Sequence, residues 1–421
     1  MEKSVFVIAL AAVSTQAMSA AYKIPEQSIN STALSGAYIA NANGADASYY
    51  NPAAMVFNKE GATIEADLTY IHLTGIEIKN DSPGFANDET KEENFLVPTF
   101  HYVSPLVGNA RFGLSLIAPA GLTKRWKGDN RAFAEDFTLK TIEINPTAGY
   151  KFNDRFSIGG GLRAVYSQGK VKSSNTAHPL VTVGRDMDGE SWDFGYNLAL
   201  QFRATDALDL ALTYRSKIDL TVDGDATLFG SVPPGLPGAG FPLPVYNDGA
   251  RVTVPLPAAL NLAAAYTFND RTTVELVYER TYWSAYKKLD FKYDRDLNPV
   301  FTAVFDDPIK KKWQDSNSFR IGITHRLDGK WTLMGGFAYD KTPIKEKYIG
   351  FELPDSDAKI FSLGARYQYS DKLNLGAAFL YDKKDSLKLK AGENINAALA
   401  AGAKFEDASA YLLTVGMNYD F

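Results

Sequence analysis

The chain has 421 residues, a formal net charge of −5 with both signs spread along it, and no cysteine. These facts exclude a disulfide-stapled scaffold, a cysteine nucleophile or metal centre, and a nucleic-acid surface, which would need clustered Lys and Arg. Aromatic residues make up 13%, while the mean hydropathy is only −0.19; strands that alternate apolar and polar between aromatic girdles produce this combination in a transmembrane β-barrel.

The N-terminus, "MEKSVFVIALAAVSTQAMSAAYK", has Lys3, an apolar run from Val5 to Val13, and small residues from Ala17 to Ala21. It reads as a signal peptide over 1–20, cut between Ser19 and Tyr22; the apolar run is too short to span a bilayer as a helix. Residues 21–58 follow, rich in small residues and without a strand period. They include "GADASYYNPAAM" (44–55), in which Asn51-Pro52 fixes a turn.

From residue 59 to 421 the pattern is period two. Strands are expected at about 60–73, 94–103, 110–118, 137–151, 155–170, 191–203, 208–220, 250–267, 272–287, 313–326, 331–340, 358–369, 373–385 and 408–421. The last places Tyr411, Leu413, Val415, Met417, Tyr419 and Phe421 on one face. Six short turns, such as "FNDR" (152–155) and "LDGK" (327–330), alternate with seven long connections. That gives fourteen strands, an even count with short periplasmic turns and long outer loops. Two long uncharged runs are not membrane helices. Ala226–Asn247 holds Pro233, Pro234, Pro237, Pro242 and Pro244, and Val252–Asn269 alternates after Pro255 and Pro257.

The fold class is therefore all-β: a closed antiparallel barrel, since hydrocarbon tolerates no open sheet edge. Fourteen strands enclose a lumen that wall side chains alone do not fill, and residues 21–58 are expected inside it as a plug. Strand three ends in Ile117-Ala118-Pro119-Ala120-Gly121, where Pro and Gly break ladder pairing. That is either a kink in the wall or an ordinary strand end, and a kink near Gly113 is the other position open. The loop "LFGSVPPGLPGAGFPLPVY" (228–246) is apolar for a solvent-facing segment. Leu228, Phe229, Leu236, Phe241 and Leu243 are candidates for first contact with a hydrophobic ligand, or else pack the loop onto its neighbours. A ligand carboxylate would need a cation. The candidates are Lys124, Arg125, Arg131 and Arg163, with Lys310 to Lys312; each is otherwise a solvated charge or a contact to lipopolysaccharide phosphate.

In this order "GADASYYNPAAM", "LVPTFHYVSPL" (96–106), "FGLSLIAPAGLTKRW" (112–126), 256–289 and 312–344 resemble the FadL/TodX-type (OmpP1-like) family of outer-membrane transporters for long-chain fatty acids and aromatic hydrocarbons. The resemblance covers essentially the whole mature chain. It implies a hatch with an Asn51-Pro52-Ala53 motif whose N-terminus, Tyr22 and Ile24, moves during gating. It implies capture by outer loops, a lumenal site above the hatch, and sideways release at the strand-three kink, at Gly113 or at Ala118, Pro119, Ala120 and Gly121. It also implies a monomer that needs the barrel-assembly machinery for insertion and lives among outer-membrane lipid and lipopolysaccharide.

No metal, nucleotide or redox cofactor is expected. An enzyme is disfavoured: His72, His101, His178 and His325 are scattered, and no G-x-S-x-G motif occurs. A general porin would need no segment ahead of strand one, whereas a surface adhesin would use the same loops. Fatty acid and aromatic hydrocarbon both remain open as ligands.

Overall fold

The computed structural model describes residues 21–421 except 82, 84, 85, 175–182, 233, 234, 236 and 239. The expected signal peptide, Leu236 and His178 lie outside the described residues. Fourteen antiparallel strands close into a barrel. They are β1 (Thr63–Leu73), β2 (Glu93–Val103), β3 (Ala110–Ile117, resuming as Gly121–Lys124), β4 (Asp136–Lys151), β5 (Phe156–Ser174), β6 (Val183–Arg203) and β7 (Leu208–Arg215 with Ile218–Gly230). The remainder are β8 (Tyr246–Leu256 with Ala259–Phe268), β9 (Thr272–Thr281), β10 (Ser316–Arg326), β11 (Trp331–Asp340), β12 (Ala358–Gln368), β13 (Leu373–Lys384) and β14 (Ser409–Asp420). Closure is made by β1 on β14, from Thr63↔Asp420 to Leu73↔Ala410.

Alternation sets the two faces. On β14, Tyr411, Leu413, Val415 and Met417 point outward, while Leu412 and Thr414 are fully buried inside. Aromatic pairs mark both interfaces: Tyr166 with Trp192 (5.3 Å between ring centroids) and Tyr381 with Tyr411 (5.0 Å) toward the long loops, Trp331 with Tyr367 (4.8 Å) and Tyr266 with Phe268 (4.6 Å) at the short turns. At one short turn Asn269 and Asp270 both take positive φ, 49° and 54°, the conformation that two-residue hairpins need and that Asn and Asp tolerate.

The structure moves several expected boundaries. Strands β5 to β8 run far beyond the membrane: β7 continues to Gly230 rather than 220, and β6 begins at Val183 rather than 191. Strand β9 stops at Thr281 rather than 287, giving way to a turn over Trp283–Ala285.

Residues 21–58 thread the lumen. They form α1 (Ile29–Ala33), capped by Ser28 Oγ accepting from Ser31 N (3.2 Å), then α2 (Ala47–Tyr50) and a 3-10 turn over Ala54–Phe57. Polar wall groups hold them from all sides. Glu275 accepts from the amides of Ile39 (2.7 Å) and Ala40 (2.6 Å). Arg320 donates to Ser35 O (2.9 Å), and Ser157 Oγ to Ala53 O (2.6 Å). Asn51 Nδ2 bridges Ile39 O (2.9 Å) and Gln201 Oε1 (2.7 Å), while its Oδ1 accepts from Ala53 N (3.1 Å). Contact is closest where the wall has glycine: a Cβ on Gly159 would lie 2.5 Å from Ala53 N, and one on Gly336 2.2 Å from Leu34 C.

Gly159→Val should therefore displace the Asn51-Pro52-Ala53 turn and lower stability by about 1–3 kcal/mol, read as an earlier urea midpoint. Ile158→Val, on the lipid face next to it, should leave the midpoint almost unchanged.

Candidate functional site

The barrel wall is interrupted in β3. Its ladder with β2 ends at Phe100↔Leu116. On the other side it pairs with β4 as far as Ile117↔Glu143 and resumes at Gly121↔Lys140, so Ala118, Pro119 and Ala120 oppose only Thr141 and Ile142. Pro119 has no N–H to offer a ladder, and the extra residue makes a bulge that turns β3 away from β2. Among the described residues, no ladder bond joins 94–99 of β2 to β3. Above this gap the two sides meet again through Arg125, which clasps Glu93 with two bonds, Nε at 2.7 Å, and through Lys91 N donating to Arg125 O (2.8 Å). A cleft of about 640 Å³ starts at the gap, between Glu93 and Phe95 of β2 and the outward Thr138 and Lys140 of β4, and continues over the polar outer face of β5 to β7 past Lys170, Asp188 and Asp223. Gly113, the other kink position, sits inside the β3 ladder opposite Val103 and Thr147. A Cβ there would come within 2.6 Å of Ser48 Cβ, so its smallness makes room for the lumenal segment.

That segment closes the gap from inside. Ile24 N donates to Pro119 O (3.0 Å) and Gly121 N to Tyr22 O (2.9 Å), a two-sided bridge centred on Lys23 and Ala120. Gln27 Nε2 donates to Ala118 O (2.8 Å), and its Oε1 accepts from Ala118 N (3.0 Å).

The same segment fills an apolar cavity above it. The Tyr22 ring is buried among Trp283 (4.7 Å, edge-on), Trp313 (5.9 Å) and Tyr286 (6.3 Å), and its hydroxyl donates to Pro255 O (2.5 Å). Burial holds the Tyr22 hydroxyl well above the usual phenol range. Only about 40 Å³ stays open beside it, between Leu122, Leu139, Val222 and Phe291, with Lys311 and Glu352 at its edge. Little more than one water fits there. A second cavity of about 50 Å³ lies on the other side of Ala21 and Leu122, lined by Lys124, Asp355, Asp382 and Lys384.

The expected cation candidates sort by their partners. Arg163 is buried against Glu143 (2.9 Å) and Ser216 O (2.7 Å), Arg125 is held by Glu93, and Arg131 pairs with Glu135 (2.8 Å). Lys310 and Lys312 are exposed. Lys311 is buried and paired with Glu352. Lys124 is 5% exposed. Of the loop candidates, Leu228 is fully buried and Leu243 packs against the lumenal cluster, whereas Phe229 and Phe241 are exposed. The structure thus gathers Tyr22, Ile24, Ala118, Pro119, Ala120, Gly121 and Lys124 into one neighbourhood and leaves Arg131, Phe229 and Phe241 outside it. Gln27 and the Trp283, Tyr286, Trp313 cage went unrecognised in the sequence. The aromatic density of "TYWSAYKK" (281–288) is a signal for the cage; nothing local marks Gln27.

The matches to known proteins agree with this geometry. A family model described as outer membrane protein transport protein (OMPP1/FadL/TodX) matches residues 10–421. This chain belongs to that family. It is similar to the long-chain fatty acid transport protein of Escherichia coli O6:H1, 26% identical over 460 residues, covering 100% of this chain and 98% of the relative. It is likewise similar to outer membrane protein P1 of Haemophilus influenzae, 26% identical over 383 residues, covering 82% and 79%. Among solved structures, a Pseudomonas aeruginosa FadL homologue shares the fold at a TM-score of 0.78 and 20% identity over 95% of this chain and 99% of that one. The P. putida toluene transporter TodX does so at 0.71 and 17%, over 94% and 98%. The protein is an outer-membrane barrel of a transport family.

In this family member the closing segment carries its own titratable group. Burial pushes the Glu26 carboxyl up to about 7, against the opposing pull of Arg320; burial and the nearby Glu65 push Asp46 to about 7 as well. A carboxyl whose pKa rises on seating favours the seated state when protonated. That contribution is full below pH 4.5 and lost as pH climbs through 7, at most about 3 kcal/mol for Glu26. Proteolysis of residues 21–58 should accelerate between pH 5 and 8, and Glu26→Gln should flatten the profile without abolishing it, because Asp46 still titrates.

Proposed function

We propose that the protein takes up long-chain fatty acids or similar hydrophobic molecules across the outer membrane. The ligand meets exposed apolar loop residues such as Phe229 and Phe241, enters the aromatic-lined lumenal cavity above the hatch, and leaves sideways between β2 and β3 into the bilayer. One observation carries this reading: the segment that fills the cavity at Tyr22 is the segment that closes the gap at Pro119 and Gly121. Entry of a ligand into the cavity and opening of the wall then require the same movement.

A straight route to the periplasm suits the cargo poorly. Below the hatch lies a vestibule of about 570 Å³ lined by Arg203, Arg271, Arg326 and Arg366 among other polar groups, a wet and charged medium for an alkyl chain. The buried ammonium of Lys311 beside the apolar cavity favours an acid over a neutral hydrocarbon, since a carboxylate leaving water needs a charged donor. In this reading Lys311 exchanges Glu352 for the ligand. The aromatic cage supports the second reading, an aromatic hydrocarbon.

Binding of oleate and of toluene to purified protein separates the two. Saturable oleate binding that weakens on the order of tenfold in Lys311→Met, with weak toluene binding, is the expected result. Strong toluene binding indifferent to Lys311→Met would make the cargo a hydrocarbon, and binding of neither would leave an adhesin. Replacing Asn51-Pro52-Ala53 by Gly-Ser-Gly should preserve oleate binding and abolish uptake by cells.

A further inference from the structure

The geometry points to Gln27 as the latch of the lateral gap: its side-chain amide stands in for the strand that β3 lacks at Ala118, and cargo passes only when this surrogate pairing is released. The inference rests on the proposed sideways route.

Ala118 is the first residue past the end of the regular β3 ladder, and β2 supplies it no partner. A backbone N–H and C=O left bare at the edge of hydrocarbon cost several kcal/mol in a typical case. Gln27 offers the amide pattern of a neighbouring strand, one donor and one acceptor, and satisfies both groups of Ala118 at 2.8 and 3.0 Å. The residue is itself fixed on every polar atom. Its Nε2 also donates to Ile24 O (2.9 Å), its backbone N to Tyr50 Oη (2.7 Å), and its carbonyl accepts from His101 Nε2 (2.8 Å). Gln27 is fully buried, so nothing screens these bonds. It lies five positions from Tyr22 in the same strap, which ties release at Ala118 to displacement of the Tyr22 ring from its cage. Gln27 is a positioning residue in this scheme; it touches the gate rather than the cargo.

Two sets of variants test the latch. Gln27→Met keeps the length and removes both bonds, so entry of a small fluorescent hydrophobe into cells should rise on the order of tenfold. Gln27→Glu keeps the acceptor but gains a donor only when protonated; its leak should be high at pH 8 and fall toward the wild-type level at pH 5. His101 and Glu26 flank the site in wild type and in both variants, so their titration is common background. A merely structural role would make both variants leak alike at every pH, and that result overturns the proposal. The second set needs no change at Gln27. The bonds on either side of Lys23 and Ala120 make them a non-hydrogen-bonded antiparallel pair, with Cα atoms about 4.5 Å apart, inside the range a disulfide spans. The chain has no cysteine of its own. Lys23→Cys with Ala120→Cys should stop oleate uptake when oxidised and restore it on reduction. Full uptake by the oxidised form, with the bond verified by mass spectrometry, would overturn the latch while wild-type uptake kept the transport reading intact.

Discussion

The lipid bilayer offers the backbone no hydrogen-bond partner, and the rest of the structure depends on that constraint. Thirteen of the fourteen strand neighbours meet it by long ladders, and β1 on β14 removes the last edge. The β2–β3 pair meets it only as far as Leu116. Beyond that point Ala120 bonds Thr141 Oγ1 of β4, while the groups at Ala118, Pro119 and Gly121 that face away from β4 are satisfied by a segment that belongs to no strand. A wall bonded throughout by ladders would be permanent. In the proposed route the wall opens where a segment of the hatch finishes it, because the bonds at Ala118, Pro119 and Gly121 that face away from β4 are few and all go to residues 22–27.

Detachment is plausible energetically because the lumen is polar. Hatch and wall meet largely through buried charges and hydrogen bonds: Lys23 on Glu279 (2.5 Å), Arg320 on Ser35 O (2.9 Å) and Arg366 on Asn30 (2.7 Å), with the two arginines anchored in the wall by Asp340 (3.2 Å) and Glu65 (2.6 Å). Such pairs fix register strongly, yet add modest net stability once desolvation is counted. The apolar contribution is spread along the segment, with Tyr22, Ile24, Ile29, Leu34 and Met55 almost fully buried. Of these, Tyr22 alone sits among the aromatic rings beneath the outer loops. A hydrophobic ligand that takes the place of that ring replaces one buried apolar surface by another, so the exchange is close to balanced.

Much of this was legible in the sequence because barrel physics is local. Period two, turn residues and loop lengths alone yield fourteen strands, and Pro119 marks the break in β3. The long upper ends of β5 to β8 were not legible. Leu220, Val222, Ala226 and Leu228 keep a buried inner face there, but on the outer face Asp186, Asp188, Asp223 and Asp225 stand where lipid-facing apolar residues would be, so these stretches read as polar connections. The charged candidates were indistinguishable for another reason. Arg163 and Arg125 are committed to Glu143 and Glu93, 20 and 32 positions away, and Lys311 to Glu352, 41 away, through pairings that no spacing encodes. Gln27 is an ordinary polar residue in a loop until Ala118, 91 positions away, is brought beside it.

Residue-resolved hydrogen exchange at the Ala118 and Gly121 amides, with and without saturating oleate, addresses the central claim most directly. Both amides should be strongly protected in the empty protein, and both should lose protection with ligand, while the amides of Leu139 and Thr141 on β4 stay protected. Equal protection of Ala118 and Gly121 in the two states, in a protein that demonstrably binds and transports oleate, would contradict the account and send the cargo by another route.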